Sequence, residues 1–208
     1  GPFRMDLSGN TGRLPYQGIG WYRKTFKVDE ADRGKRFYVD FDGVMAYAKV
    51  WLNGEYVGTW PYGYNSFRLD LTPFVKVGEY NVLAVRTDTE KWESRWYPGA
   101  GIYRHVWLVK NGQVHVSHWG TKMEATNLTE KTADLHFSVT VENHLDEETG
   151  AVVKTSVYEL DSLDCLGKRV LSFSDQTLKL APQGSGKIDL QETLTDCKRW
   201  DIESPNRY

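Results

Sequence analysis

An all-β protein is what this sequence predicts, built as two consecutive β-sandwiches. Three observations carry that prediction. Short runs of alternating apolar and polar residues recur along the chain, broken by Gly, Pro, Asn and Asp, and almost nothing has the period of a long helix. Two Asn-Gly pairs, Asn53-Gly54 and Asn111-Gly112, follow apolar runs; this dipeptide suits the tight turn of a hairpin, where both central residues need positive φ. After Gly112 about seven short strands are expected in under a hundred residues, the spacing of an immunoglobulin-like sandwich.

In chain order, Gly20–Val28 (GWYRKTFKV) is a strand with Tyr22, Phe26 and Val28 on one face and Arg23 and Lys27 on the other. Arg36–Phe41 places Phe37, Val39 and Phe41 in register. Val44–Leu52 enters the turn at Asn53-Gly54 and Glu55–Gly58 leaves it, while Ser66–Leu71 alternates through Phe67, Leu69 and Leu71. Thr72 as an N-cap before Pro73 predicts one helical turn over Pro73–Val75, ended by Gly78. Glu79–Thr87 and Ile102–Lys110 complete the first set. Ile102–Val109 is apolar on both faces, which predicts a strand buried between layers.

The first domain is therefore expected over 1–110 and the second over 111–208. Strands of the second are expected at Gln113–Trp119, Ala133–Val141, Ala151–Leu160, Thr177–Leu180 and Lys187–Leu194. Polar loops should separate them at Leu145–Gly150, Asp161–Lys168 and Ala181–Gly186. The Cys…Trp…Cys core of antibody domains is missing.

Composition narrows the function. Lys+Arg total 26 and Asp+Glu 28, a formal net charge of -2, which argues against nucleic acid or an anionic membrane as partner. No apolar run approaches the roughly 18 residues of a membrane-spanning helix, and no signal peptide opens the chain. Cys165 and Cys197 form no CxxC motif and read as two separate thiols, with a disulfide as the alternative in an oxidising compartment. The five histidines show no i,i+4 pair, so no metal site and no cofactor are expected. Asn127-Leu128-Thr129 matches a glycosylation sequon. Aromatic residues make up 13% of the chain, with 8 tryptophans. Aromatic-rich cores are common in small all-β domains, and the same density also fits a surface that stacks on sugar rings, whose C–H faces lie well on an indole.

Four stretches in order, GIGWYRKTF (Gly18–Phe26), FDGVMAYAKVWLNGEYVG (Phe41–Gly58), PYGYNSFRLDLT (Pro61–Thr72) and SRWYPGAGIYRHVWL (Ser94–Leu108), resemble the N-terminal domain of glycoside hydrolase family 2. QVHVSHWGT and the ending WDIESPNRY resemble that family's second domain and its exit. The family contains β-galactosidases, β-glucuronidases and β-mannosidases, and SRWYPGAGIYR looks most like the β-galactosidase branch. The resemblance implies a jelly-roll, galactose-binding-like sandwich followed by an immunoglobulin-like one. In the family a TIM barrel follows and carries both catalytic glutamates, one of them in an Asn-Glu pair.

This chain has no Asn-Glu dipeptide and is too short to add a barrel of about 250 residues. Retaining hydrolysis needs two carboxyl groups about 5–5.5 Å apart, and no pair stands out among the scattered acids. No catalytic residue is therefore expected. What the resemblance implies is a non-catalytic region that scaffolds the barrel of the same chain and completes its pocket for a β-galactoside-type carbohydrate. A freestanding carbohydrate-binding module is the rival reading. A periplasmic or secreted location is the expectation the resemblance carries.

Arg95 and Trp96 are the candidate substrate-binding residues. Arg95 offers a rigid fork of donors for vicinal hydroxyls, and Trp96 a stacking face; the competing reading wedges Trp96 and Tyr97 between domains. Pro98, Gly99 and Gly101 read as turn residues. Trp60, Tyr62 and Tyr64 are either a sugar platform or, preferably, a packed loop. His105 reads as a hydrogen-bonded partner rather than a metal ligand.

Overall fold

The computed structural model describes residues 18–90 and 100–208. The chain divides into two compact units, Gly1–Gly112 and Gln113–Tyr208. Both are built of antiparallel strands, and the described helical content is a single 3-10 turn at Glu30–Asp32.

The first unit is a jelly-roll sandwich. Its strands are β1 (Ile19–Lys27), β2 (Arg36–Phe41), β3 (Val44–Met45), β4 (Ala48–Leu52), β5 (Glu55–Trp60), β6 (Phe67–Asp70), β7 (Tyr80–Asp88), β8 (Gly101–Ile102) and β9 (Val106–Asn111). One sheet runs β1-β7-β4-β5, the other β6-β2-β9, and β3 pairs with β8 in a short separate ladder. Alternation does what the sequence pattern requires. Phe37, Val39 and Phe41 of β2 meet Val50 and Leu52 of β4 and Leu83 and Val85 of β7 in one core. Phe67 stacks between Phe41 and Trp60, with ring centroids at 4.8 and 5.6 Å.

The Asn53-Gly54 turn has φ of 54° and 91° at its two residues, as the hairpin type demands. It is also tied down from outside. Asn53 Nδ2 donates to Phe74 O at 2.9 Å and to Asn81 Oδ1 at 2.8 Å, while its Oδ1 accepts from Val82 N at 3.0 Å. Asn81 is fully buried. Its Oδ1 also accepts from Lys76 N, and its Nδ2 donates to Lys76 O and Glu79 O. The expected helical turn after Leu71 is one i→i+4 bond, Val75 N to Leu71 O at 3.1 Å. Thr72 does not cap it; its hydroxyl accepts from Phe37 N at 3.0 Å and so anchors β2.

The stretch expected as one buried strand, Ile102–Val109, is instead two strands separated by Tyr103–His105. Among the described residues β9 pairs on one side alone, with β2, so it forms a sheet edge, and Trp107 is 53% exposed. Apolar residues on both faces therefore did not mean a central position. Val106 and Leu108 line a cavity of about 410 Å³ with Tyr22, Phe26, Val39 and Val85.

The second unit is an immunoglobulin-like sandwich of seven strands: β10 (Val114–Thr126), β11 (Thr132–Asn143), β12 (Thr149–Val153), β13 (Ser156–Leu160), β14 (Leu166–Ser172), β15 (Gln176–Leu180) and β16 (Ser185–Thr195). The sheet β10-β11-β16 faces two two-stranded ribbons, β12-β15 and β13-β14. Long β11 serves both. Its Val139 and Val141 pack with Leu180, Ala151 and Val153, and its Ala133 and Leu135 with Val157 and Phe173. The single strand expected at Ala151–Leu160 is thus two, because the chain changes ribbon at Lys154-Thr155, where Thr155 O accepts from Phe173 N at 3.0 Å. The last three residues of the loop expected at Asp161–Lys168 are the start of β14. Asp161 Oδ1 accepts from Leu163 N and Cys165 N, closing a tight turn that leaves Leu166 free to pair with Leu160. Cys165 and Cys197 are free thiols.

Two predictions follow from these contacts. Asn81→Ala orphans buried groups that cost about 1–3 kcal/mol each, so urea unfolding should show a loss of about 3 kcal/mol at an unchanged m-value. Asp32 is buried and accepts from Lys110 Nζ at 2.6 Å and Lys35 Nζ at 2.7 Å. The Lys110 bond foremost, then that from Lys35, holds its carboxyl below the usual aspartate range. A depressed pKa stabilises the fold above the unfolded value of about 3.9 and ceases to as pH falls through the native value. The gap in urea midpoint between wild type and Asp32→Asn should therefore be full at pH 7 and shrink below about pH 4.

Candidate carbohydrate-facing surface

One end of the first unit gathers the loops around 42–47, 61–66, 88–90 and 100–105. Their backbones are bound to one another. Asp88 N donates to Ala46 O at 2.9 Å, Thr89 N to Gly18 O at 3.0 Å, and Tyr47 N to Pro61 O at 3.1 Å. Gly101 pairs with Met45 and Ile102 with Val44, and Ile102 N donates to Tyr22 Oη at 3.3 Å. Gly101 has φ of +97°, and a Cβ there would meet that same tyrosine hydroxyl, so any other residue would be strained at this position. Both ends of the 91–99 connection are therefore fixed. Arg95 and Trp96, the candidate substrate-binding residues, lie in that connection and outside the described residues, as do Trp92, Glu93, Tyr97, Pro98 and Gly99.

Around this end the second aromatic cluster divides. Trp60 is structural: it stacks on Phe67 and donates from Nε1 to Asn65 Oδ1 at 2.8 Å. Tyr62 and Tyr64 are exposed and meet edge to face at 5.6 Å. Tyr103 also reaches the surface and ties two loops together, its hydroxyl donating to Gly63 O at 2.7 Å. His105 lies exposed beside Asp42, with Nδ1 3.7 Å from the carboxylate. Trp107 donates to the same carboxylate from Nε1 at 3.1 Å. Asp88 at the rim of β7 takes a backbone bond from Glu90 and the guanidinium of Arg86 at 2.8 Å. These hold its carboxyl below the ordinary value, the Glu90 bond being the largest influence.

Two groupings were not anticipated from the sequence. On the outer face of the β1-β7-β4-β5 sheet, Trp21 and Trp51 lie 5.2 Å apart and Trp51 and Tyr56 5.7 Å apart. Between the two tryptophans β7 presents Ala84, paired with Trp51 and Arg23, and its small side chain leaves room for the indoles to meet above it. Trp21 and Tyr56 are half exposed. Alternation could have found this row, since Trp51 lies between the inward Val50 and Leu52. The second grouping brings together two histidines and an acid that the chain spacing did not show as a cluster. In the second unit one ligand atom from each of His115, Glu142 and His144 falls within 4.8 Å of the others. Spacing along the chain hides this, because pairing of β10 with β11 brings His115 opposite Glu142.

Comparison with known proteins agrees with this architecture. Residues 10–112 match the family model described as glycosyl hydrolases family 2, sugar binding domain. The whole chain is 42% identical to the β-galactosidase BoGH2A of Bacteroides ovatus, of which it covers 24%. It is 36% identical, over 96% of its length, to a putative β-glucuronidase of Formosa agariphila, of which it covers 18%. A family 2 member from Bacteroides cellulosilyticus of known crystal structure superposes with a TM-score of 0.83 at 31% identity, over 92% of this chain and 26% of that one. An all-β pair of sandwiches with a sugar-binding-type first unit is thus the class of protein the fold defines. The chain belongs to glycoside hydrolase family 2 and corresponds to the N-terminal region of its enzymes. It spans between about a fifth and a quarter of the length of the relatives described.

Proposed function

We propose that this chain is the non-catalytic leading region of a retaining β-galactosidase, scaffolding a TIM barrel in the same protein and closing one side of its pocket. The observation that carries the reading is the 42% identity to a β-galactosidase across the full length of the chain. In this reading Arg95 donates paired hydrogen bonds to vicinal hydroxyls of the sugar, and Trp96 offers its indole to the apolar sugar face. The catalytic carboxylates belong to the barrel. Enclosure by loops of a rigid sandwich suits the task, since a pocket wall must hold its shape while substrate exchanges. A periplasmic or secreted location goes with the same proposal. The test is hydrolysis of a chromogenic β-galactoside by the purified 208-residue chain. No turnover above the blank is expected; turnover that survives both removal of host enzyme and Arg95→Ala contradicts the reading.

The Trp21–Trp51–Tyr56 row supports a second reading, in which the chain binds carbohydrate by itself. Three neighbouring aromatic rings on one sheet face offer apolar surface to the sugar units of an oligosaccharide. Titration calorimetry with β-galactoside oligosaccharides separates the two. Saturable micromolar binding that Trp51→Ala removes supports a binding module, and silence supports the scaffold.

A further inference from the structure

We propose that the second unit carries a zinc site made by His115, Glu142 and His144, which clamps the start of β10 to the turn after β11. Register builds it. His115 stands directly opposite Glu142 in the β10–β11 ladder. Side chains two apart along an extended chain share a face, so His144 joins Glu142 on the side that His115 occupies. His144 Nε2 lies 3.1 Å from Glu142 Oε2 and His115 Nε2 3.9 Å from the same oxygen. The two imidazoles lie nearly parallel, 13° between planes and 5.2 Å between centroids.

The backbone that holds these groups is fixed more firmly than a surface turn requires. His144 N donates to Gln113 O at 2.9 Å, and His144 O accepts from Gln183 Nε2 at 2.8 Å. Next to it, Asn143 is buried at 1% exposure, with Nδ2 bonded to Glu147 O and Ala181 O and Oδ1 accepting from Leu145 N. The His115 side chain is 9% exposed, whereas Glu142 is open enough for a water to reach the cluster. Ser117 Oγ is buried beside the cluster.

The donor set selects the ion. Two imidazole nitrogens and one carboxylate suit zinc and its borderline neighbours rather than calcium or magnesium, which prefer all-oxygen shells. Zinc bonds of about 2.0–2.1 Å in a tetrahedron set donor atoms about 3.4 Å apart, between the two separations found here. Three protein ligands leave the fourth position to water. The site is made wholly of second-unit residues, so its test is independent of the proposed glycosidase role.

The experiment is calorimetric titration of the untagged, chelator-treated 208-residue chain with zinc chloride at pH 7.5, alongside circular dichroism of every variant. One equivalent of zinc should bind with micromolar or tighter affinity and raise the Tm. His115→Ala and His144→Ala should each weaken binding by at least the roughly 10–100-fold that loss of even an outer-shell partner causes. His136→Ala should bind as wild type, because His136 bonds Thr126 elsewhere on the sheet. Should a histidine variant lose its fold, the isosteric Glu142→Gln makes the same test. Absence of a stoichiometric site in the wild-type chain, or equal affinity in the folded variants, would overturn the proposal and leave a hydrogen-bonded His-Glu-His cluster.

Discussion

Cross-strand register holds this protein together, and in the first unit it is pinned at one buried place, the amide pair of Asn53 and Asn81. With one short 3-10 turn as its only described helical element, the chain has no local scaffold on which to build. Most of its contacts join residues far apart in sequence. The two asparagines bolt the β4–β5 turn to the start of β7, so β4 cannot slide against β7. A slip of one residue would turn Val50 and Leu52 outward and Trp51 inward, exchanging the core face for the aromatic row. The same register on the other sheet sets Arg68 against Asp40 in a two-pronged pair at 2.6 Å, with the guanidinium over the Tyr38 ring.

That economy separates architecture from chemistry. Apolar side chains of alternate residues meet in the sandwich interior, and the loops at one end are also tied to each other by backbone bonds and by the Tyr103 hydroxyl. A wall built in this way is stiff at its base and variable at its rim, which suits a surface that shapes a pocket without doing the chemistry in it. The aromatic row is different in kind, because it belongs to strands and its spacing is set by the sheet.

Much of the fold was legible in the sequence because strand alternation and turn chemistry are local. Phe37, Val39 and Phe41 declared their inward face, and Asn53-Gly54 declared its turn. What was not legible depended on partners. Val106 and Leu108 have the pattern of a central strand, but β9 has a neighbour on one side among the described residues. Ala151–Leu160 has one continuous pattern, yet its two halves belong to different ribbons. His115 and Glu142 are separated by a long stretch of chain, and pairing alone brings them together, although Glu142 and His144 already shared a face by spacing. Arg95 and Trp96 were singled out by a motif, and their placement lies outside the described residues.

The most direct test of the central claim, that this region completes a glycosidase pocket it does not catalyse in, is steady-state kinetics of the full-length gene product carrying Arg95→Ala. Loss of a charged hydrogen bond to substrate is worth about 1.5–3 kcal/mol. The account therefore predicts a fall in kcat/KM for a β-galactoside of roughly tenfold or more, with thermal stability unchanged. An unaltered kcat/KM in a folded, active enzyme would contradict it.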